Sequence, residues 1–101
     1  MSATEQIRND WNTIAAGYDR CVTDPGMPSA EDALRRAGIQ PGMRVLDVAS
    51  GSGALSIPAA RLGAQVVAID LSPVMIERLS ARARAEGLAN GKVGRSARGT
   101  P

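Results

Sequence analysis

Two short apolar runs separated by a glycine-containing loop constrain the fold of this chain more than any other feature. The runs cover residues 45–49 (VLDVA) and 65–70 (QVVAID), and neither alternates polar with apolar residues. Continuous Val, Ile and Leu runs of this length are typical of strands buried on both faces of a parallel sheet. Between them lie residues 50–53 (SGSG) and a helical pattern over 54–62, in which Pro58 predicts a distorted first half. The segment therefore predicts a strand–loop–helix–strand unit with a right-handed crossover.

Helical patterns lie on both sides of this unit. Ser2, with an acid three residues later, predicts the start of a first helix that ends near Gly17 and is followed by a loop over residues 18–28. Ser29 as N-cap and Gly38 after the last turn bound a second predicted helix.

A last helix is predicted after the second strand, between Ser72 as its N-cap and Gly87. Its apolar residues fall on one side of the helix. We expect the arginines on the opposite side to face solvent: Arg78, Arg82 and Arg84.

The pattern stops after this helix. Residues 91–96 contain a single apolar residue, Val93, which is too few for a third buried strand. We therefore expect an α/β fold, a Rossmann-like doubly wound parallel sheet that is incomplete and has two clear strands. Residues 1–90 would form this portion, and residues 91–101 a disordered tail whose basic residues produce the chain's net charge of +2.

The composition excludes several kinds of site. The chain has no His and a single Cys, which excludes an internal disulfide, a zinc cluster and a His-based catalytic triad. We expect Cys21 to be a buried or half-buried thiol. Basic residues interleaved with aromatics, the footprint of nucleic-acid binding, are not evident on a predicted element. No apolar stretch reaches the length of a membrane span and no secretory signal is visible, so a cytoplasmic location is expected.

The residues that end the two strands carry the chemistry. Gly51 and Gly53 follow the first strand, where glycines let a backbone approach a ligand closely and point helix amides at it. Asp70 ends the second strand, where an acid can accept both hydroxyls of a ribose. Together they predict an adenosine-containing ligand at the carboxyl ends of the strands.

The choice of ligand depends on what stands around the glycines. A dinucleotide fingerprint needs a glycine where Ser56 stands, and no Gly-Lys-Ser/Thr follows as in a Walker-type phosphate loop. Asp47, just before the glycine turn, suits a cationic ligand better than a pyrophosphate. S-adenosylmethionine, with its ammonium and sulfonium groups, therefore fits better than NAD, although an NAD-type half-domain of an oxidoreductase stays as the alternative.

This segment resembles the class I S-adenosylmethionine-dependent methyltransferases. Their first motif, acid-x-Gly-x-Gly-x-Gly after an apolar strand, is matched by Asp47, Gly51 and Gly53, while Ala49 stands at the first glycine. The resemblance implies that Gly51 and Gly53 approach the methionine part of the cofactor. It also implies that Asp47 orients the loop and attracts the ammonium group.

The resemblance extends to both sides of this motif. Asp70 resembles the second-motif acid that binds the ribose, and Leu71 and Ser72 stand where the family usually lines the adenine edge. Residues 11–19 (WNTIAAGYD) resemble the N-terminal segment of ubiquinone/menaquinone-biosynthesis-type methyltransferases, in which an aromatic at the position of Tyr18 helps to cover the cofactor. We expect Trp11 in the same segment to pack in the core.

The resemblance implies an activity as well as a cofactor. In this family a methyl group passes from the sulfonium of S-adenosylmethionine to a nucleophile. We expect a small-molecule acceptor, which the sequence does not identify as a carbon, oxygen or nitrogen nucleophile. The family's third-motif acid has no match in residues 91–101. The chain is therefore expected to be the N-terminal portion of a methyltransferase, inactive alone, with a non-catalytic fragment as the alternative.

Overall fold

The computed structural model describes residues 1–89 and 93–96. Over these residues the chain forms four α-helices, one π-helix and a sheet of three strands. Their bounds in chain order are α1 Ala3–Tyr18, the π-helix Asp19–Thr23, α2 Asp24–Arg36, β1 Arg44–Val48, α3 Ser56–Arg61, β2 Gln65–Ile69, α4 Pro73–Ala85 and β3 Val93–Ser96.

All strands of the sheet run parallel, in the order β1-β2-β3. Val45 pairs with Val66, which in turn pairs with Val93. Helix α3 connects β1 to β2, and α4 follows β2 and contacts β3. The predicted strand–loop–helix–strand unit is confirmed, and the fold is the predicted incomplete α/β arrangement.

The third strand corrects the two-strand prediction. Residues 93–96 were expected to lie in a tail outside the fold, but they pair in register with Val66–Ile69 of β2. Val93 is 3% exposed and supplies the strand's side-chain contribution to the core. Hydrogen bonds between the main chains of β2 and β3 hold the strand in the sheet, so one buried apolar residue is enough for this edge strand. The remainder of the predicted tail lies outside the described residues.

The helices cover one face of the sheet and leave the other open. Val66 and Ala68 point into the core, whereas Leu46, Val48 and Val67 are 65%, 64% and 51% exposed. The strands therefore alternate between a buried and an open face, and the prediction of burial on both faces is wrong for the described part of the chain. A hollow of about 610 Å³ borders the open face, away from the polar groups at the strand ends.

The predicted loop over residues 18–28 is helical. The π-helix joins α1 to α2 without a break, so α2 begins at Asp24 and not after Ser29. Pro25 and Pro28 lie in this continuous helical segment and lack a backbone N–H, so at each of them a carbonyl of the preceding turn loses its intrahelical donor. Cys21 was expected to be buried or half-buried, but it is exposed on the π-helix.

The end of α2 and the start of α3 follow from local residues. Gly38 has a φ of +82° and Ile39 N donates to Leu34 O, a left-handed cap of the kind predicted. Helix α3 begins only at Ser56, which places Pro58 in its first turn and leaves the preceding residues as turns. In the described residues, no helix combines the length and apolar character that crossing a membrane requires.

Gly63, which ends α3, gives a test of this packing. Its φ is +91°, and a Cβ there would lie 3.0 Å from Pro41 Cβ and 3.1 Å from Pro41 Cα. Gly63→Ala should lower the free energy of unfolding by roughly 2–4 kcal/mol, from left-handed strain plus the clash. Gly87→Ala is the matched control, since Gly87 has a φ of +71° and open space around it. Urea unfolding should show a loss of only about 1–2 kcal/mol for the control; equal losses would contradict the clash.

Candidate cofactor site

A cleft of about 260 Å³ opens at the carboxyl ends of β1 and β2. This is where open parallel α/β sheets bind ligands. Its lining consists of Trp11, Tyr18, Ala49, Gly51, Asp70, Leu71 and Met75. The structure thus brings five of the predicted site residues together and adds Trp11 and Met75. The other predicted residues, Asp47, Gly53 and Ser72, lie outside the lining.

The carboxylate of Asp70 connects the two sides of the cleft. Gly51 N donates to Asp70 Oδ2 at 2.9 Å, and Ser72 N donates to Asp70 Oδ1 at 2.8 Å. The acid at the end of β2 therefore holds both the glycine loop after β1 and the start of α4. A carboxylate offers about four lone-pair positions, so each oxygen can still accept a further hydrogen bond.

Ser72 acts on the structure around the cleft. As predicted, it caps α4, accepting from Met75 N at 3.1 Å. Its hydroxyl lies 2.5 Å from Asn12 Oδ1 on α1. Ser72 is fully buried, and it therefore ties α1 to the start of α4 from beneath the cleft.

The two glycines of the loop have different surroundings. Gly51 has a φ of +57°, and a Cβ there would lie 3.6 Å from Cε1 of Tyr18 in the cleft. Gly53 has a φ of +110°, and a Cβ there would lie 2.8 Å from Ile57 Cγ1 and 3.3 Å from Leu79 Cγ. Core packing alone thus requires a glycine at position 53, whereas Gly51 presents its backbone to the cleft.

Ala49 occupies a backbone conformation that favours glycine. Its φ is +58°, and it is the one residue other than glycine with a positive φ in the described part of the chain. The left-handed region costs a residue with a Cβ roughly 1–2 kcal/mol. Position 49 is where the resembling family has its first glycine, so this loop carries strain that a glycine there would remove.

Asp47 lies beneath the loop. It is 8% exposed, and its Oδ2 accepts a hydrogen bond of 2.6 Å from Ser56 Oγ at the start of α3. Burial raises the pKa of Asp47 by more than the hydrogen bonds from Ser56 lower it, and the negative charge of Asp70 raises it further. The hydrogen bond from Ser56 links Asp47 of β1 to the start of α3.

The side chains of Trp11 and Tyr18 form one wall of the cleft, the aromatic wall. Trp11 and Tyr18 pack edge to face, with ring centroids 5.6 Å apart and an interplanar angle of 85°. Trp11 is 40% exposed, so the expectation that it packs in the core is wrong. The two residues are seven positions apart, two helical turns, and this spacing was the available signal that they share a face.

An ion-pair cluster that the sequence pattern did not predict lies behind the cleft. Asp19 in the π-helix accepts hydrogen bonds from Arg78 and Arg82 of α4, at 2.8 and 3.0 Å. Arg82 also lies 2.7 Å from Asp24. The expectation that the arginines of α4 face solvent is therefore wrong for Arg82, whose side chain is 23% exposed, and is confirmed for Arg84; Arg78 is ion-paired and 39% exposed. Spacing along the sequence does not predict a contact between residues about 60 positions apart.

The parallel sheet, the glycine loop after β1 and the acid at the end of β2 define a protein of the Rossmann-like, nucleoside-binding class. Residues 45–97 match the family described as "Methyltransferase domain", and the match covers more than half of the chain. The chain therefore belongs to this methyltransferase-domain family, as the resemblance predicted.

Individual proteins are similar to parts of this chain. An uncharacterised protein of Mycobacterium tuberculosis is 58% identical over 52 residues, which cover 52% of this chain and 19% of that protein. Demethylmenaquinone methyltransferase of Tropheryma whipplei is 41% identical over 80 residues, covering 73% of this chain and 33% of the relative. An RNA methyltransferase from Salinibacter ruber, crystallised with S-adenosyl-L-homocysteine, has a TM-score of 0.64 at 28% identity, covering 68% of this chain and 45% of that one. The chain spans about a fifth to a third of the length of these curated relatives.

Relief of the strain at Ala49 can be measured. Ala49→Gly should raise the free energy of unfolding by about 1 kcal/mol, because the left-handed conformation costs glycine nothing. Ala33→Gly, on the exposed side of α2, is the matched control and should lower the same quantity by about 1 kcal/mol. Urea unfolding of both variants checks this, and a loss of stability in Ala49→Gly would contradict the strain.

The buried carboxyl of Asp47 predicts a pH dependence. Because its folded-state pKa is raised, ionising this group costs more in the folded chain than in the unfolded chain. The stability of Asp47→Asn relative to the parent should therefore grow as the pH rises from 3, through the ordinary value of 3.8, to 7. Urea unfolding at several pH values measures this difference.

Asp32→Asn removes an equal charge from the exposed face of α2 and serves as its control. It should change the free energy of unfolding by less than about 1 kcal/mol throughout. A stability difference for Asp47→Asn that is independent of pH would show that burial does not act on this carboxyl.

Proposed function

We propose that this chain binds S-adenosylmethionine in the cleft at the ends of β1 and β2, as the cofactor-binding part of a methyltransferase for a small-molecule acceptor. The observation that carries the proposal is the position of Asp70. Its carboxylate lies in the cleft wall, both oxygens are aligned by backbone amides, and each keeps capacity for one more donor. The two adjacent hydroxyls of a ribose are donors of this kind.

The charge of the cleft favours a cation over a phosphate. Among the described residues, Asp70 is the one charged side chain in its lining, and Asp47 lies beneath the loop. Within the described residues, no Arg or Lys lines the cleft to neutralise a pyrophosphate. S-adenosylmethionine carries no phosphate, and both of its positive groups would be attracted by this negative potential. NAD would face repulsion at the same place.

The remaining cleft residues suit the other parts of the cofactor. Gly51 and the backbone of Ala49 would lie along its methionine part, with Tyr18 covering it. Leu71 offers apolar surface to the adenine, and the relative from Salinibacter ruber was crystallised with the demethylated form of this cofactor. Asp47, Gly53 and Ser72 would act by holding the loop and α4 in place.

The cofactor, when bound, supplies an electrophilic methyl group on a sulfonium. The contribution of this chain is to hold the nucleoside by Asp70 and to exclude water with the aromatic wall. Catalysis by positioning and desolvation needs no titrating group from the cleft itself. In this proposal the residues of the cleft bind the cofactor, and selection of the acceptor is a separate property.

A small-molecule acceptor is favoured over RNA. The relative from Tropheryma whipplei, named as a demethylmenaquinone methyltransferase, matches 73% of this chain at 41% identity. The RNA methyltransferase from Salinibacter ruber matches 68% of this chain at 28% identity. Several arginines are already paired with carboxylates, which reduces the positive surface available to a phosphate backbone. They are Arg35, Arg36, Arg61, Arg78 and Arg82.

Titration calorimetry tests the cofactor assignment. S-adenosylmethionine and S-adenosylhomocysteine should bind saturably, and NAD should bind more weakly or not at all. Asp70→Ala should weaken binding of S-adenosylmethionine at least about tenfold, since it removes a charged acceptor worth more than about 1.5 kcal/mol. Preferential binding of NAD would refute the choice of ligand.

Two variants keep this result interpretable. Asp70→Asn retains one carbonyl oxygen for the backbone amides, so a loss of affinity in a variant that melts like the parent is not a loss of folding. Asp32→Ala removes a carboxylate from the exposed side of α2 and should leave the affinity unchanged. Unchanged affinity in both Asp70 variants would rule out the proposed ribose contact.

A further inference from the structure

We propose that Asp19 is a positioning residue of the cofactor cleft, which holds the π-helix against α4 and so fixes Tyr18 over the glycine loop. The inference rests on the proposed function, because the affinity it affects is that for S-adenosylmethionine. It concerns the ion-pair cluster behind the cleft, none of whose members lines the cleft itself.

The contacts of Asp19 anchor one side of the π-helix. Asp19 is 7% exposed, and its oxygens accept from Arg78 Nη1 at 2.8 Å and Arg82 Nη2 at 3.0 Å. Burial alone would raise the pKa of Asp19, but hydrogen bonds from Ser52 and the two guanidinium groups hold it below its ordinary value. Because Arg82 also pairs with Asp24 at 2.7 Å, the cluster joins α4 to the start of α2 as well.

A second inward contact of the π-helix reaches the glycine loop. Thr23 is fully buried, and its Oγ1 lies 2.8 Å from the Oγ of Ser52, which is also fully buried. Ser52 stands between the two loop glycines. Asp19 and Thr23, four positions apart on one face of the π-helix, are both buried, while Cys21 and Val22 between them are exposed. Single π turns of this kind occur frequently at functional sites.

Tyr18 directly precedes this anchored turn. Its Cε1 atom lies 3.6 Å from the point that a Cβ would occupy at position 51, and its ring packs edge to face on Trp11. A rotation of the π-helix would move the ring away from the loop, and Asp19 opposes that rotation from the next residue. The cleft wall is thus arranged before a ligand arrives, which lowers the ordering cost of binding.

The test is a double-mutant cycle on the full chain, with S-adenosylmethionine as the titrated ligand. Asp19→Asn should weaken binding roughly tenfold, the loss expected for one charge-assisted hydrogen bond. In a Tyr18→Ala background the same substitution should cost nothing further, because Asp19 acts through Tyr18. Asp19→Glu should restore part of the affinity, and Asp32→Asn, on the exposed side of α2, should leave it unchanged. Additive losses in the cycle would overturn the proposal.

A ligand-free readout separates this inference from the proposed function. Trp11 and Tyr18 are the only aromatic residues, so the near-ultraviolet circular dichroism of the free chain reports their packing. Asp19→Asn should change this spectrum even if the parent fails to bind S-adenosylmethionine, a failure that would refute the proposed function alone. An unchanged spectrum would refute the positioning role. If Asp19→Asn does not fold, Arg78→Gln removes one of the two ion pairs, and it should shift the spectrum and the affinity in the same direction by less.

Discussion

The arrangement of the cleft depends on the hydrogen bonds that the carboxylate of Asp70 accepts. They come from the backbone amides of Gly51 and Ser72, which belong to different βα units. Parallel pairing brings β1 and β2 side by side, but it does not fix the loops that follow them. Asp70 does so, because one side chain sets the position of the glycine loop and the first turn of α4 together.

The surroundings of the cleft combine groups that are each unfavourable for stability. Ala49 takes a left-handed conformation, and Asp47 is buried beneath the loop with its pKa raised. Sites that bind ligands often hold such strained or desolvated groups, which the rest of the structure must offset. Burial of apolar side chains in the core is a favourable term of this kind, and Ile57 and Leu79 have no exposed surface there.

The elements that could be predicted from the sequence are those with local causes. The two apolar runs, the cap at Ser72 and the left-handed end at Gly38 each depend on residues a few positions apart. The π-helix could not be predicted in this way, since it is held by contacts of Asp19 and Thr23 with residues far along the chain. In the cleft, the acid and glycines were predictable from a motif, whereas the exposure of Trp11 depended on how α1 packs.

The order of the strands has a consequence for synthesis on the ribosome. Among the described strands, β2 and β3 each pair with the strand that precedes them in the chain, so the sheet can extend in the direction in which the polypeptide emerges. The ion pairs of Asp19 are different, because they span 59 and 63 positions and need α4 to be complete. Closure of such long loops carries the larger entropic cost, so the aromatic wall would be secured only after the sheet has nucleated.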